Sequence, residues 1–342
     1  MSLSDKKIIV FQNKDIWIAF LQLLLSILLL VLFVSSLQQD DIIDTISQCS
    51  VSWLVVALLL KSLSLLLREV RLWLALPLPR PRFFPTMNIG LFTGALHTFL
   101  PLRGGDLLSI GLLNKNLNIP IPKASFAVGL CAFLEMLVFG VIAVLTLIST
   151  QHLWFEVHAL YQQILSWMSM ATGIGIFIFI LAILTAKFAS PPEDEQPSLV
   201  QSIIPEMVRL LQSSVVSRNY VFSNIVLTIA DVLVMLLSFS CIFYCLNISC
   251  SLPFTVSTLI LGVSAVAAFA LPPSYGAGPA ASAILIFSLF QLPEENALAY
   301  AAIWWVLSQV PSLLFGIPAM WFMKSVDNSD TNTKVGSPPL SS

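Results

Sequence analysis

Phe99-Leu-Pro-Leu-Arg-Gly-Gly-Asp106 interrupts an apolar run with a proline, two glycines and two opposite charges. A helix cannot pass smoothly through it. Pro101 lacks the backbone donor that the helical ladder needs, and Gly104 and Gly105 loosen the backbone. A second stretch of the same kind, Ala270-Leu-Pro-Pro-Ser-Tyr-Gly-Ala-Gly-Pro279, breaks the second half of the chain. Both read as broken-helix tips deep in an apolar surrounding. Met87 to Leu100 and Asp106 to Asn114 flank the first; Val256 to Leu271 and Ala280 to Phe290 flank the second. Limbs of about 10–14 residues suit a segment that enters a bilayer and returns on the same side. One kinked crossing helix over Thr86 to Asn114 is the competing reading.

Composition fixes the surrounding. Of 342 residues, 57% are hydrophobic and only 10% charged, where a soluble domain carries about a quarter. The expected fold is all-α: a polytopic helical membrane protein with about six full spans and two re-entrant helical hairpins. The spans read as Ile16–Leu37, Val51–Leu76, Ala124–Ser149, Ile164–Phe188, Tyr220–Leu246 and Ala297–Met323. Lys6, Lys7 and Lys14 before the first give it the look of a signal peptide. It is longer than a cleaved apolar core of roughly 7–15 residues, and no A-x-A site follows. Leu199, Ile203, Met207, Leu210 and Leu211 recur at helical spacing within the polar loop 190–219, so an amphipathic helix on the membrane surface is expected there. Residues 1–323 then form one transmembrane domain, with halves at about 16–149 and 164–323. The Ser/Thr/Asn/Pro tail 324–342 is expected to be disordered.

Charge placement decides between the two readings of the first break. With both broken stretches re-entrant and the N-terminus cytoplasmic, the Lys and Arg residues from Lys6 to Lys334 fall on the cytoplasmic side or its interface, except Lys61 and Arg103 at membrane depth. Asp40, Asp41, Asp44, Glu156, Glu294 and Glu295 fall outside. This satisfies the positive-inside bias. A crossing helix would instead part Lys115, Lys123, Lys187, Arg209 and Arg218 from Arg80. The expected location is thus a plasma membrane of bacterial or archaeal inner-membrane type, with both termini cytoplasmic. The halves also echo each other, since Pro120 and Ala124 recur 173 residues later as Pro293 and Ala297. An inverted repeat of this kind places a site near the midplane in many transporters.

Charges at membrane depth cost roughly 2.5–3.5 kcal/mol on insertion scales, so they face a cavity or one another. At the first tip, Arg103 suits bidentate grip of a lipid phosphate. Gly104 and Gly105 offer backbone donors at a helix start, and Asp106 would cap that helix and orient Arg103; a purely structural Arg103–Asp106 pair is the alternative. Ser274, Tyr275, Gly276 and Gly278 supply the facing tip, either as a close backbone approach to a headgroup or as a tight turn. Glu135 and Asp231, each in mid-helix, either line a polar pathway or make internal hydrogen bonds. Lys61 pairs with an acid or snorkels. Arg68 and Arg71 read first as anchors at the cytoplasmic interface, with attraction of anionic lipid as the second reading. His97 reads as a buried, hydrogen-bonded histidine, and Trp304 and Trp305 as packing or lipid-facing aromatics. Of five cysteines, Cys131, Cys241 and Cys245 read as small apolar helix residues. No P-loop, G-x-S-x-G, H-E-x-x-H or Asp-rich metal pair occurs, so the expectation is no enzyme, no cofactor, no metal and no nucleic-acid partner.

Arg71-Leu-Trp73, Leu76, Gly90-x-x-x-Gly94, Leu100-Pro101 and Arg103-Gly-Gly-Asp106 together resemble the flippase-like family, the transmembrane region shared with lysylphosphatidylglycerol synthases. Leu271-Pro272, Ser274 and Gly276-Ala-Gly278-Pro279 are similar to its glycine-rich second signature. The resemblance covers about residues 16–323. Asp106 stands where that family carries Glu, Ala132 where it has an Arg ahead of the acid matched by Glu135, and Ala280-Ala281-Ser282 where a Glu follows the second signature. An Arg of its last helix is replaced near Trp304–Trp305. The second half has therefore lost its charges, which tells against ion-coupled chemistry there. No soluble aminoacyl-transferase domain is expected after Met323, so synthase activity does not carry over. The resemblance implies a lipid flippase-like protein whose two tips bind and translocate a phospho- or glycolipid headgroup, with membrane lipids as partners. A non-transporting scaffold for a glycosyltransferase or lipid-modifying enzyme is the other expectation.

Overall fold

The computed structural model describes residues 46–76, 79–96, 104–150, 158–188, 218–270 and 277–333. Among them are α1 (Val51–Ala75), α2 (Phe83–Leu96), α3 (Gly104–Leu117), α4 (Ile121–Ser149), α5 (His158–Phe188), α6 (Arg218–Cys245), α7 (Pro253–Ala270), α8 (Ala277–Leu289) and α9 (Glu294–Thr333), with no strand among the described residues. Helices α1, α4, α6 and α9 are long and apolar enough to cross a membrane. The expected first span and the amphipathic helix over 199–211 lie outside the described residues, as do residues 97–103 and 271–276 of the two breaks, His97 among them.

Several ends differ from expectation. Helix α4 starts at Ile121 rather than Ala124 because Pro120 serves as its N-cap and Pro122 falls in the first turn, where a missing N–H costs nothing. Helix α5 begins at His158, ahead of the expected Ile164. Helix α9 begins at Glu294, where Glu294 and Glu295 favour the positive end of the helix dipole. It continues past the expected end at Met323 into the polar tail, since no proline or glycine intervenes before Gly336.

Helices α2 and α3 form a hairpin. Sixteen residues along one continuous helix separate by about 24 Å at 1.5 Å per residue. Yet the hydroxyls of Thr93 and Ser109 meet at 2.5 Å, so the chain doubles back between them. Each limb is 14 residues long, about 21 Å and short of a ~30 Å bilayer core. Helices α7 and α8 also pack against each other.

Helices α1 and α6 run antiparallel, paired from the Cys49–Cys245 end as far as Asp231. Cys49 and Cys245 form a disulfide with Cα atoms 5.0 Å apart, beside a 2.7 Å bond from the Ser50 N–H to the Cys245 carbonyl. Further along, Ser238 donates to the Ala57 carbonyl at 2.8 Å, and Ser64 donates to Asp231 at 2.6 Å. Residue numbers rise on one helix as they fall on the other. The disulfide corrects the reading of Cys245 as a merely small apolar residue; Cys131 and Cys241 are free and buried.

The two halves repeat one plan: long helix, two short helices, long helix. Contacts come in matched pairs, α1·α2 with α6·α7, α3·α4 with α8·α9, and α2·α9 with α7·α4. The turns before α4 and α9 match as well. Asn118 and Gln291 both sit at positive φ, 52° and 53°, and both lie two residues ahead of a proline. The corresponding long helices α1 and α6 run antiparallel.

Each hairpin has its own apolar core. Around the first, Leu72, Ile89, Leu113, Ala124 and Ala127 are buried together. Around the second, Phe243, Phe287 and Tyr300 stack with ring centroids 5.1 to 5.7 Å apart, and the Tyr300 hydroxyl donates to Ser257 at 3.0 Å. The outer face is apolar too. Val51, Val55, Leu59 and Leu63 recur every four residues on α1 and are all exposed, as a helix in contact with lipid requires.

Candidate functional site

The buried face of α1 is polar where its outer face is apolar. From that face project Lys61, Ser64, Arg68, Glu69 and Arg71; α3 adds Asp106, α4 adds Glu135 and α6 adds Asp231. A charge in an apolar interior needs a partner, and the pairings follow that rule. Arg71 is fully buried. Its Nη1 donates to Asp231 at 2.7 Å and its Nη2 to the Cys131 carbonyl at 2.8 Å. Its Nη2 also lies 3.4 Å from Glu135. The other oxygen of Asp231 accepts from Ser64. Arg68 is partly exposed and lies 3.8 Å from Asp106, and the carboxylates of Glu135, Glu69 and Asp231 also act on it. The Lys61 ammonium stands 5.2 Å over the Phe239 ring, a cation–π contact.

These side chains surround two cavities of about 220 Å³ each. The first lies within α1–α4, with Glu69, Arg71, Thr93, Asp106 and Ser109 on its wall. The second lies between α1, α6 and α9, with Lys61, Asp231, Ser308 and Ser312 on its wall. Arg68 and Glu135 line both. One guanidinium and one carboxylate thus form the partition between two polar spaces.

Some sequence readings change at this point. Arg71 is not an interface anchor; it is the most enclosed charge of the cluster, because it bridges acids from α4 and α6. The described partner of Asp106 is Arg68, from another helix, while Arg103 lies outside the described residues. Asp106 belongs to α3. The helix begins at Gly104, so Asp106 sits inside the first turn, where its charge favours the helix dipole. Gly104 and Gly105 form that same turn, and Gly105 is buried. Ser274, Tyr275 and Gly276 lie outside the described residues; Gly278 falls in the first turn of α8. Ala132 borders the first cavity beside Glu135, and the cation facing Glu135 comes from α1 instead. Trp304 packs edge-on against Phe239 at 5.3 Å, and Trp305 is exposed.

Glu69 escaped sequence reasoning as a site residue. It is 1% exposed, and Gly90 on α2 is what makes room for it, since a Cβ there would overlap the Glu69 carboxylate. A signal existed in Arg68-Glu-Val-Arg71: three charges within four residues of an otherwise apolar helix cannot all face lipid.

The arrangement can hold a polar guest by hydrogen bonds within an apolar bundle. No curated protein matches the chain. The lysylphosphatidylglycerol synthase transmembrane region is the family whose model matches residues 19–316, and with most of its length covered this multi-pass integral membrane protein belongs to that family.

Proposed function

We propose that the chain is a lipid flippase-like protein that binds a polar headgroup in the α1–α4 cavity and passes it across the partition formed by Arg68 and Glu135, while the acyl tails stay in lipid. The observation that carries this reading is the pair of polar cavities meeting at those two side chains inside a bundle whose outer face is apolar. In this reading α2–α3 and α7–α8 are re-entrant hairpins that enter from opposite membrane faces, and rocking of one half against the other gives alternating access. Arg103, Gly104 and Gly105 at the first tip, and Ser274, Tyr275, Gly276 and Gly278 at the second, would contact the headgroup as it enters or leaves. The disulfide end of α1 and α6 then faces the extracytoplasmic side, where oxidation is favoured.

A second reading, a non-transporting scaffold for a lipid-modifying enzyme or glycosyltransferase, is favoured by one feature. The second hairpin, Pro253–Ala270 with Ala277–Leu289, carries no charged residue. Proteoliposome flipping assays separate the two. Headgroup translocation by the isolated protein, reduced at least tenfold by Arg68→Gln, supports the transporter. A full set of lipids left unmoved by the wild type, with an enzyme co-purifying, supports the scaffold.

A further inference from the structure

Four cations gather at one end of the first half with no acid to meet. Leu76 after α1, Leu113 and Leu117 late in α3, and Ile119 and Ala124 around the start of α4 share one apolar cluster. The lead-in to α2, the end of α3 and the start of α4 therefore lie at the same end of the molecule. They bring Arg80, Arg82, Lys115 and Lys123 there. None of the four makes an ion pair among the described residues, and no Asp or Glu occurs over 70–105 or 107–134. The lead-in to α2 is pinned in place. Trp73 donates its indole N–H to the Pro81 carbonyl at 2.9 Å. Phe83 meets the Trp73 ring edge-on at 5.4 Å, and Phe84 meets Phe83 in the same manner. The Arg80 guanidinium stands 5.3 Å over the indole, a cation–π contact that holds the charge without neutralising it. Arg82 is exposed beside it, and Phe84 is 69% exposed. Trp53 marks the other end of α1, where it stacks on Tyr244 with ring centroids 4.8 Å apart. Trp53 and Trp73 are twenty residues apart on one helix, about 30 Å at 1.5 Å per residue, the thickness of a bilayer core. Tryptophans so spaced sit at the two headgroup boundaries, which puts Arg80, on the face of Trp73, at the level of the lipid phosphates.

We infer that Trp73, Arg80, Arg82 and Phe84, with Lys115 and Lys123 at the same end, form a docking surface for an anionic membrane lipid. It lies apart from the α1–α4 cavity and does not depend on the transport reading. A zwitterionic head would bring an ammonium to a surface that has no carboxylate to receive it, whereas a head of net negative charge meets only cations. A free phosphate offers the same oxygens, but it leaves the exposed Phe84 ring bare, while the glycerol and acyl chains of a lipid cover it.

The test uses the full chain with a benzophenone side chain in place of Phe84, in nanodiscs of equal parts phosphatidylglycerol and phosphatidylcholine with identical acyl chains. Irradiation links the neighbouring lipid, and mass spectrometry identifies it. One interfacial Lys or Arg strengthens attraction between a protein and an acidic lipid surface roughly fivefold. The expected result is at least fivefold more phosphatidylglycerol than phosphatidylcholine on the protein. Arg82→Gln, at an exposed side chain, lowers that ratio several-fold, and Arg80→Gln with Arg82→Gln brings it near one. Inorganic phosphate leaves the ratio where sodium chloride of equal ionic strength leaves it. Equal linking of the two lipids overturns the inference, as does a preference untouched by Arg82→Gln. Loss of the preference in inorganic phosphate but not in chloride overturns it in favour of a site for the free ion. The first comparison needs neither arginine variant, so a misfolded double variant leaves the test decisive.

Discussion

Arg71 is stable where it stands only because Asp231, Glu135 and the Cys131 carbonyl meet it, at 2.7, 3.4 and 2.8 Å. Removing one partner of a buried ion pair strands the other, at a cost of about 3–5 kcal/mol. Arg71→Met should therefore lower the melting temperature of the purified protein sharply. Adding Asp231→Leu should recover most of the loss, because both charges then leave together; a double variant as unstable as the single one would show that the pair holds more than itself. The sequence marks Arg71 and Asp231 as charges that need an explanation in an apolar setting. It does not say that they meet, because the pair spans 160 residues and no local period connects positions on different helices. The same limit hid Glu69. Its clearance comes from Gly90, which reads in sequence as half of a small-residue motif, while a Cβ added at Gly94 would meet only Leu65, at 4.0 Å.

Helices were the more legible level. Proline and glycine at 101–105 and 271–278 break the apolar pattern plainly enough to separate the short helices on either side, whose bounds fall within a few residues of their reading. Ends were less legible, since proline starts a helix as readily as it stops one, which is why α4 and α9 both begin earlier than expected. How closely two helices approach was not legible at all. Gly316 of α9 lies against α2, where a Cβ would come 2.7 Å from the Leu91 carbonyl oxygen and into Ala95. Backbone cannot swing aside as a side chain can, so Gly316→Ala should destabilise by about 1–3 kcal/mol. Gly111 of α3 has nothing within 4 Å, so Gly111→Ala should raise stability by up to about 1 kcal/mol through helix propensity. Thermal melts of the two variants side by side check both signs. The α1–α6 pair has its own test. Cys49→Ser removes a cross-link between residues 196 apart in sequence and should cost roughly 2–5 kcal/mol. Reducing agent should shift the wild-type melt by a similar amount and leave the Cys49→Ser melt unmoved.

For the molecule as a whole, the matched contacts of the two halves carry the account. Two copies of one plan, set antiparallel through α1 and α6, bring a hairpin from each half to the same long helices, while nearly all the cavity's charges come from the first half. That division is readable in the sequence as acids and bases clustered before residue 136 and a charge-free second hairpin. The cavities are not, because they exist only once α1, α4 and α6 are packed. We propose that the α2–α3 hairpin returns to the face from which it enters, which puts the charged cavity inside the membrane. Single cysteines at Arg80 and Lys115, in a background whose free cysteines are replaced, test this with a membrane-impermeant thiol reagent applied to sealed vesicles of known orientation. Labelling of both positions from the cytoplasmic side alone is the predicted result; labelling of Arg80→Cys from one side and Lys115→Cys from the other would contradict it.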